Sequence, residues 1–243
     1  SAERQGGLET RIRRYLAHRG VQSFVRVVGA EDPYSGSRDL VKMYGLGSLV
    51  PNTVLLGHSS KEKTRRQYCE MIGAFYRGER NVLIMHEREE KPFGDRKRID
   101  VWWGGLKGNG GLMMILAYLL GTSIQWRQAE VRLKMVVPDE AAAVQARRNL
   151  VTIIQRIRTN AVPEVLVAAG RPFGEILTES SSDADLVLMG MAEPTDPDSF
   201  AEYYGRLEGW IEHLPTVVMV LAAEGTPFEE ILVQSDVTMH QGS

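Results

Sequence analysis

Short apolar runs alternate with longer, more polar segments along most of the chain. The runs are rich in Val, Leu, Ile and Met and are apolar at nearly every position. This pattern is typical of strands in a parallel sheet that helices cover on both faces. We predict strands over 24–29, 53–57, 82–86, 99–103, 131–137, 165–168, 186–190 and 216–221.

The segments between these runs carry apolar residues at the three-four spacing of helices. The clearest helix is predicted over 139–158, with Asp139 at its start and Arg156 in its last turn, as the helix dipole favours. Other helices are predicted over 8–19, 37–45, 61–77, 110–120, 173–181 and 198–213. The alternation of strands and helices predicts an α/β fold with a doubly wound, mostly parallel sheet.

An internal repeat divides the chain into two halves. In each half a strand that ends in glycine (Gly57 or Gly190) is followed by a helix and a second apolar strand. The second half begins with an extra strand-helix-strand, so the repeat predicts that an equivalent strand-helix-strand precedes residue 8; its loss from the protein is the alternative. We therefore predict a first α/β subdomain, truncated at its amino-terminal end, over 1–95, a second over 96–235, and a disordered tail over 236–243.

Composition argues against several classes of function. The balanced formal net charge of -2 does not suggest a nucleic-acid binder, which would need a basic stripe to neutralise phosphates. Cys69 is the single cysteine, so neither an intramolecular disulfide nor a cysteine-based zinc site is expected, and the histidines lack the spacing of metal ligands. The longest apolar run, 112–120, is shorter than the roughly 20 residues that span a bilayer.

Chemical motifs are few. Nucleophile-elbow and zinc-protease patterns are absent, and we expect no catalytic residue, no cofactor and no enzyme activity. The glycine-rich stretch 104–111 lies between a strand and a helix, where phosphates bind in some folds, but its spacing fits no phosphate-binding motif. A tight turn is the favoured interpretation and a phosphate site is the alternative. Trp102 and Trp103 are expected to pack on opposite faces of the sheet, with ligand stacking as the alternative.

Two basic clusters, 11–14 and 96–98, are typical of solvated surfaces. Contact with acidic lipid headgroups or a partner domain is the functional alternative.

Four groups of residues resemble the cation-chloride cotransporter family, in family order. The first matches its D-V-W-W and G-G patterns at Asp100, Val101, Trp102, Trp103, Gly110 and Gly111. It continues through 117–120, where Ala117 replaces the usual proline, to Trp126 and Arg127. The other groups are 45–47 with 51–57, 184–191 and 214–220.

The resemblance implies two universal-stress-protein-like halves that form the carboxy-terminal, cytosolic regulatory domain of a prokaryotic-type cotransporter. The parent protein would carry chloride with potassium or sodium, without net charge, and its membrane domain would be a partner. The domain itself would form a homodimer and bind no ion directly. A nucleotide-binding universal-stress-type protein is the alternative, although a second glycine is missing after Gly190.

For the dimer interface we predict the carboxy-terminal end of the chain, which stays apolar after the sheet is complete. The predicted contact residues are Phe200, Tyr203, Tyr204, Leu207, Trp210 and Phe228.

Overall fold

The computed structural model describes residues 2–45, 50–90, 92–104, 108–157 and 159–224. The chain divides into two units, Ser1–Val50 and Pro51–Ser243. Among the described residues, no helix is both long and apolar enough to cross a membrane.

The first unit contains helices α1 (Ala2–His18) and α2 (Pro33–Met43). Asp32 caps α2, because its carboxylate accepts the backbone N–H groups of Tyr34 and Ser35. The predicted strand over 24–29 is wrong: this segment is not part of a sheet, and Phe24 is 92% exposed. None of the described residues in this unit is buried, so the segment has neither a neighbouring strand nor a core to hold it.

The second unit is built on one seven-stranded sheet in the order β1-β2-β7-β6-β3-β4-β5. Its strands are β1 (Thr53–Gly57), β2 (Asn81–His86), β3 (Arg98–Trp102), β4 (Glu130–Val137), β5 (Val162–Val167), β6 (Leu186–Gly190) and β7 (Thr216–Leu221). Its helices are α3 (Arg65–Arg77), α4 (Asn109–Thr122), α5 (Glu140–Arg156), α6 (Phe173–Ser180) and α7 (Pro197–Ile211). A short 3-10 turn (Glu62–Thr64) precedes α3. The predicted α/β class is confirmed.

The sheet is parallel except at one seam, where β2 and β7 run antiparallel and Ile84 lies opposite Met219. The units β1-α3-β2 and β6-α7-β7 meet there, which confirms the predicted repeat for these elements. The two strand-helix-strand repeats differ in how deeply their first strand is buried. β6 has β3 as a neighbour on its outer side, whereas β1 is the outermost strand of the described sheet. Leu188 of β6 is therefore 1% exposed and its counterpart in β1, Leu55, is 62% exposed.

Residue 95 lies in the connection between β2 and β3. The sheet continues on both sides of this connection. The division into two subdomains at residue 95 therefore stays a prediction. The disordered tail also stays a prediction, because 236–243 lies outside the described residues.

Helices cover both faces of the sheet. On one face, α4 and α5 pack on a core that includes Ile99, Val101 and Leu133. On the other face, α7 packs against α3 and α6. The expected placement of the two tryptophans is confirmed: Trp102 contacts Phe173 of α6, and Trp103 packs on the α4 side.

Gly110 lets α4 approach the sheet, because an added Cβ would lie 2.4 Å from the ring of Trp103. We expect Gly110→Ala to lower the free energy of unfolding by about 1–3 kcal/mol, the usual cost of overpacking a core. Urea denaturation of the purified chain measures the change.

Gly121 of the same helix is the matched control, since an added Cβ there meets nothing within 4 Å. Gly121→Ala is expected to be neutral or stabilising by up to about 1 kcal/mol. Equal effects of the two substitutions would contradict the close packing of Trp103 on α4.

Candidate functional site

A crevice opens at the carboxyl ends of β3 and β6, where the connections leave the sheet in opposite directions. Ligands of open α/β sheets bind at such switch points. The cavity measures about 200 Å³, smaller than the roughly 300–1,000 Å³ of typical ligand sites. Its described lining is mainly aromatic and apolar and includes Trp102, Trp103, Met113, Phe173, Tyr203, Leu207 and Trp210.

The one amide side chain in this lining, Asn109, is fully engaged within the chain. Its Nδ2 donates to the carbonyl of Met191 at 2.8 Å, and its Oδ1 accepts the N–H of Ala222 at 2.7 Å. Asn109 thereby fastens the start of α4 to the segments that follow β6 and β7. Gly104 also lines the crevice, whereas 105–107 of the glycine-rich stretch lie outside the described residues. The described part of the crevice offers an apolar contact surface.

A buried ion network lies beneath α6. The Asp100 carboxylate is fully buried and accepts hydrogen bonds from Arg132 Nε at 2.6 Å and Ser181 Oγ at 2.7 Å. Lys134 Nζ, also fully buried, lies 3.1 Å from Asp100 Oδ2. Trp102 joins the network through its indole N–H, which donates to Ser181 Oγ at 3.0 Å. Asp100 and Trp102 therefore hold β3 to β4 and to the end of α6.

Lys134 also serves the carboxyl end of α6. Its ammonium donates to the carbonyl of Ser180 and lies 3.3 Å from Glu164 Oε2. A cation at this end of a helix neutralises the partial negative charge of the last carbonyl groups. The long, charged side chain of Lys134 thus connects the end of α6 to the sheet.

Arg132 bridges Asp100 and the more exposed Asp183. Burial alone would lower the pKa of Arg132, but its hydrogen bonds to Asp183 and Asp100 outweigh that effect and raise the pKa. The hydrogen bond from Arg132 lowers the pKa of the Asp183 carboxyl in turn. Both groups are charged near neutral pH and form a permanent ion pair.

A second carboxylate holds the connection between β2 and β3. Asp185 accepts the N–H groups of Asp95 at 2.7 Å, Lys97 at 2.7 Å and Arg98 at 3.0 Å. The backbone there turns through three residues with positive φ, namely Phe93 (56°), Gly94 (47°) and Arg96 (56°). Successive turns of this kind point N–H groups into one concavity, a nest that suits an anion, and Asp185 fills it. We call this contact the linker clamp.

Two further side chains secure the same connection. The hydroxyl of Thr216 at the start of β7 accepts the N–H groups of Arg88 and Phe93, at 3.4 and 3.3 Å. The buried ring of Trp126 meets Phe93 edge-on at 6.1 Å. Groups from three places in the second half therefore fix the segment that joins the two halves.

At the opposite edge of the sheet, His58 follows β1 and joins it to α7. Its Nδ1 lies 2.7 Å from the hydroxyl of Tyr204, and its Nε2 lies 3.8 Å from Glu208. Arg65 pairs with the same glutamate. Burial, followed by His86 and Arg65, lowers the pKa of His58 to about 4, so the ring is neutral near pH 7. The cluster is an internal connection between β1, α3 and α7.

The remaining candidate chemistry is unreactive or incomplete. Burial raises the pKa of the Cys69 thiol to about 12, which leaves it protonated. No group of three His, Cys, Asp or Glu side chains among the described residues is arranged to hold a metal ion.

Comparisons with known proteins place these residues in a family. The model of solute carrier family 12 matches residues 1–90 and 89–169. The chain belongs to solute carrier family 12.

Cation-chloride cotransporter 2 of Oryza sativa subsp. japonica is 22% identical over 211 residues, which are 82% of this chain and 20% of that protein. The chain therefore spans about a fifth of this curated relative.

Two solved structures share the fold. The cytoplasmic domain of a prokaryotic cation chloride cotransporter matches with a TM-score of 0.67 and 15% identity, over 91% of this chain and 81% of that one. A universal stress protein from Archaeoglobus fulgidus DSM 4304 matches with a TM-score of 0.59 and 11% identity, over 93% and 78%. The predicted likeness to universal stress proteins is confirmed for the fold.

In this member of solute carrier family 12, the motif residues serve internal contacts. Asp100 and Trp102 belong to the ion network, and Trp103 packs where Gly110 leaves room. Val101 and Gly111 are buried.

The predicted interface residues differ from one another in burial. Phe200, Tyr204 and Leu207 belong to the core of the chain, whereas Tyr203 and Trp210 are partly exposed. Phe228 lies outside the described residues, and so do residues 46 and 47 of the motif group 45–47. The interface itself stays a prediction.

Sequence reasoning missed Asn109, Lys134, Ser181 and Asp185 as structural groups. A signal was present for Lys134, because Arg132 and Lys134 alternate with apolar residues in a strand that helices cover. Asp185 carried no such signal, since its partners are backbone N–H groups almost 90 residues away in the chain.

We expect Asp185→Ala to lower the free energy of unfolding by about 1–3 kcal/mol, because three N–H groups lose a charged acceptor. Gly94→Ala should have a similar effect, since an added Cβ would lie 1.8 Å from Asp185 Oδ1 at a φ of 47°. Both substitutions break the linker clamp, so the double variant should lose less free energy of unfolding than the two single variants do in sum. Urea denaturation measures the energies, and hydrogen exchange over 92–98 reports the clamp.

Glu90→Ala is the control in the same connection, because its ion pair with Arg88 is exposed. We expect it to cost less than about 1 kcal/mol and to leave exchange over 92–98 unchanged. Additive effects of Asp185→Ala and Gly94→Ala would count against a shared clamp.

Proposed function

We propose that this chain is the cytosolic, non-catalytic regulatory and dimerisation domain of an electroneutral cation-chloride cotransporter. The observation that carries the proposal is the family match, which covers residues 1–169. It is supported by the use of the motif residues: Asp100, Trp102 and Trp103 are engaged in contacts that hold the domain together.

The parent protein would carry chloride together with potassium or sodium. Membership of solute carrier family 12 and the name of the rice relative support this part of the proposal. The ion sites would lie in the membrane domain of the same polypeptide, which is the first expected partner. The domain described above would bind no ion and would act from the cytoplasmic side of the cell membrane.

The internal contacts suggest how regulation would operate. The linker clamp fixes the connection between the halves, and the β2–β7 seam joins their strands in one sheet. A displacement of one half is therefore passed to the other, because packed cores resist continuous deformation. Such a stiff domain is suited to bias the transport cycle of a membrane domain attached to it.

The second partner would be another copy of the chain. We propose that the contact lies on α7 around the exposed Arg206 and the partly exposed Tyr203 and Trp210, at the rim of the switch-point crevice, because Phe200, Tyr204 and Leu207 are already covered within the chain. Of the predicted interface residues, the proposal keeps the partly exposed Tyr203 and Trp210, and it adds Arg206.

The alternative, a nucleotide-binding universal-stress-type protein, has the fold likeness in its favour. The switch-point crevice does not favour it, because the cavity is small and the polar atoms of Asn109 are engaged. We therefore retain the transporter domain as the proposed function.

Light scattering tests the dimer. One copy has a mass of 27.2 kDa, so a dimer has 2 × 27.2 = 54.4 kDa, and we expect the larger mass at concentrations approaching millimolar. Arg206→Glu should shift the mass toward the monomer by reversing a charge on the exposed face of α7. Arg148→Glu on α5 is the matched control and should have no effect. A monomer at every concentration would contradict the dimerisation role.

A further inference from the structure

The carboxyl end of α4 exposes a cluster of large apolar side chains. Tyr118 and Leu119 in the last turns are 68% and 55% exposed, and Ile124 in the following loop is 84% exposed. We call these three residues the α4 tip. Exposed apolar residues of this size, within seven positions of one another at the end of one helix, often mark a site of interaction.

The backbone holds the α4 tip firmly. Ser123 closes the helix, because its N–H and its hydroxyl both bond to the carbonyl of Leu120, at 2.9 and 2.7 Å. The N–H groups of Trp126 and Arg127 then bond to the carbonyl of Ser123, and the Trp126 ring is buried against Phe93. Ile124 is therefore presented on a closed turn between two anchored residues.

The charged residues in the stretch of sequence that contains the α4 tip are all basic. Between Asp100 and Glu130 the sequence contains no acidic residue, and Arg127 is the charged residue next to the tip. A second basic group, Lys97, lies beside the same loop, because its carbonyl accepts the N–H of Glu130. The acidic residues around Lys97 are Asp185, which accepts its backbone N–H, and Asp95 and Glu130 along the chain; none of the three belongs to α4 or to the loop 123–129.

We propose that the α4 tip docks on the surface of an anionic lipid bilayer. Tyr118, Leu119 and Ile124 would enter the headgroup region, while Arg127 and Lys97 would contact lipid phosphates. Aromatic and aliphatic side chains beside Arg127, on a helix and loop that carry no carboxylate, match the chemistry of a membrane interface. The inference rests on the proposed function, because it requires the domain to be held beside a membrane.

Attachment to a membrane domain makes such a small contact useful. Three apolar side chains and two cations bind a bilayer weakly on their own, but a tether raises the effective concentration of the surface. Docking would then fix the orientation of the domain relative to the membrane.

Vesicle flotation of the 243-residue chain tests the surface directly. We expect binding to phosphatidylcholine vesicles that contain phosphatidylglycerol, little binding to pure phosphatidylcholine, and a decrease as salt is raised. The double variant Leu119→Asp with Ile124→Asp should lower the bound fraction roughly tenfold, because carboxylates would enter the headgroup region. Arg127→Glu should weaken binding to the anionic vesicles alone.

Val144→Asp is the matched control, since Val144 is a similarly exposed apolar residue on α5. It should bind as the parent chain does, and all variants should keep the parent unfolding midpoint. Absent binding, equal binding to both kinds of vesicle, or unchanged binding of the Leu119→Asp and Ile124→Asp variant would overturn the proposal. A loss of dimer mass in that variant would assign the tip to a second copy and overturn it too. The Arg206→Glu experiment, by contrast, tests the proposed function and leaves the tip intact.

Discussion

The fold depends on one buried carboxylate. Asp100 sits on the interior strand β3 with no exposure to solvent, and its charge is balanced by Lys134 and Arg132 from β4. A buried charge is costly without partners, so the network forms as a unit or not at all. When it forms, it fixes the register of β3 and β4 and holds the end of α6 through the hydroxyl of Ser181. The indole of Trp102 is oriented by that same hydroxyl.

From this centre the structure extends to the connection between the halves. β3 begins directly after the linker clamp, where Asp185 at the head of β6 holds the N–H groups that lead into β3. The ion network and the clamp thus act at the middle and at the beginning of the same strand. The two contacts together fix both the backbone and the side chains of β3.

The strands of the second half were predictable to within a few residues, because β6 and β7 are unbroken apolar runs buried on both faces. The segment 24–29 is also mostly apolar, although Arg26 interrupts it, but it lacks a neighbouring strand, and pairing cannot be read from local pattern. The partners of Asp100 lie 32 and 81 residues away, so only the fold brings them together. The apolar character of the carboxy-terminal end likewise pointed to Phe200 and Tyr204 without telling whether these side chains pack inside the chain or against another copy.

The most direct test is a double-mutant cycle on Asp100 and Lys134. The account predicts that Asp100→Asn and Lys134→Met each lower the free energy of unfolding by up to about 3–5 kcal/mol, because each leaves a buried charge with one partner fewer. Lys134 would keep Glu164, and Asp100 would keep Arg132. The double variant should be destabilised by clearly less than the sum, since it removes both charges together. Urea denaturation of the four proteins measures the cycle. Single effects below about 1 kcal/mol that simply add would contradict the central role of the network.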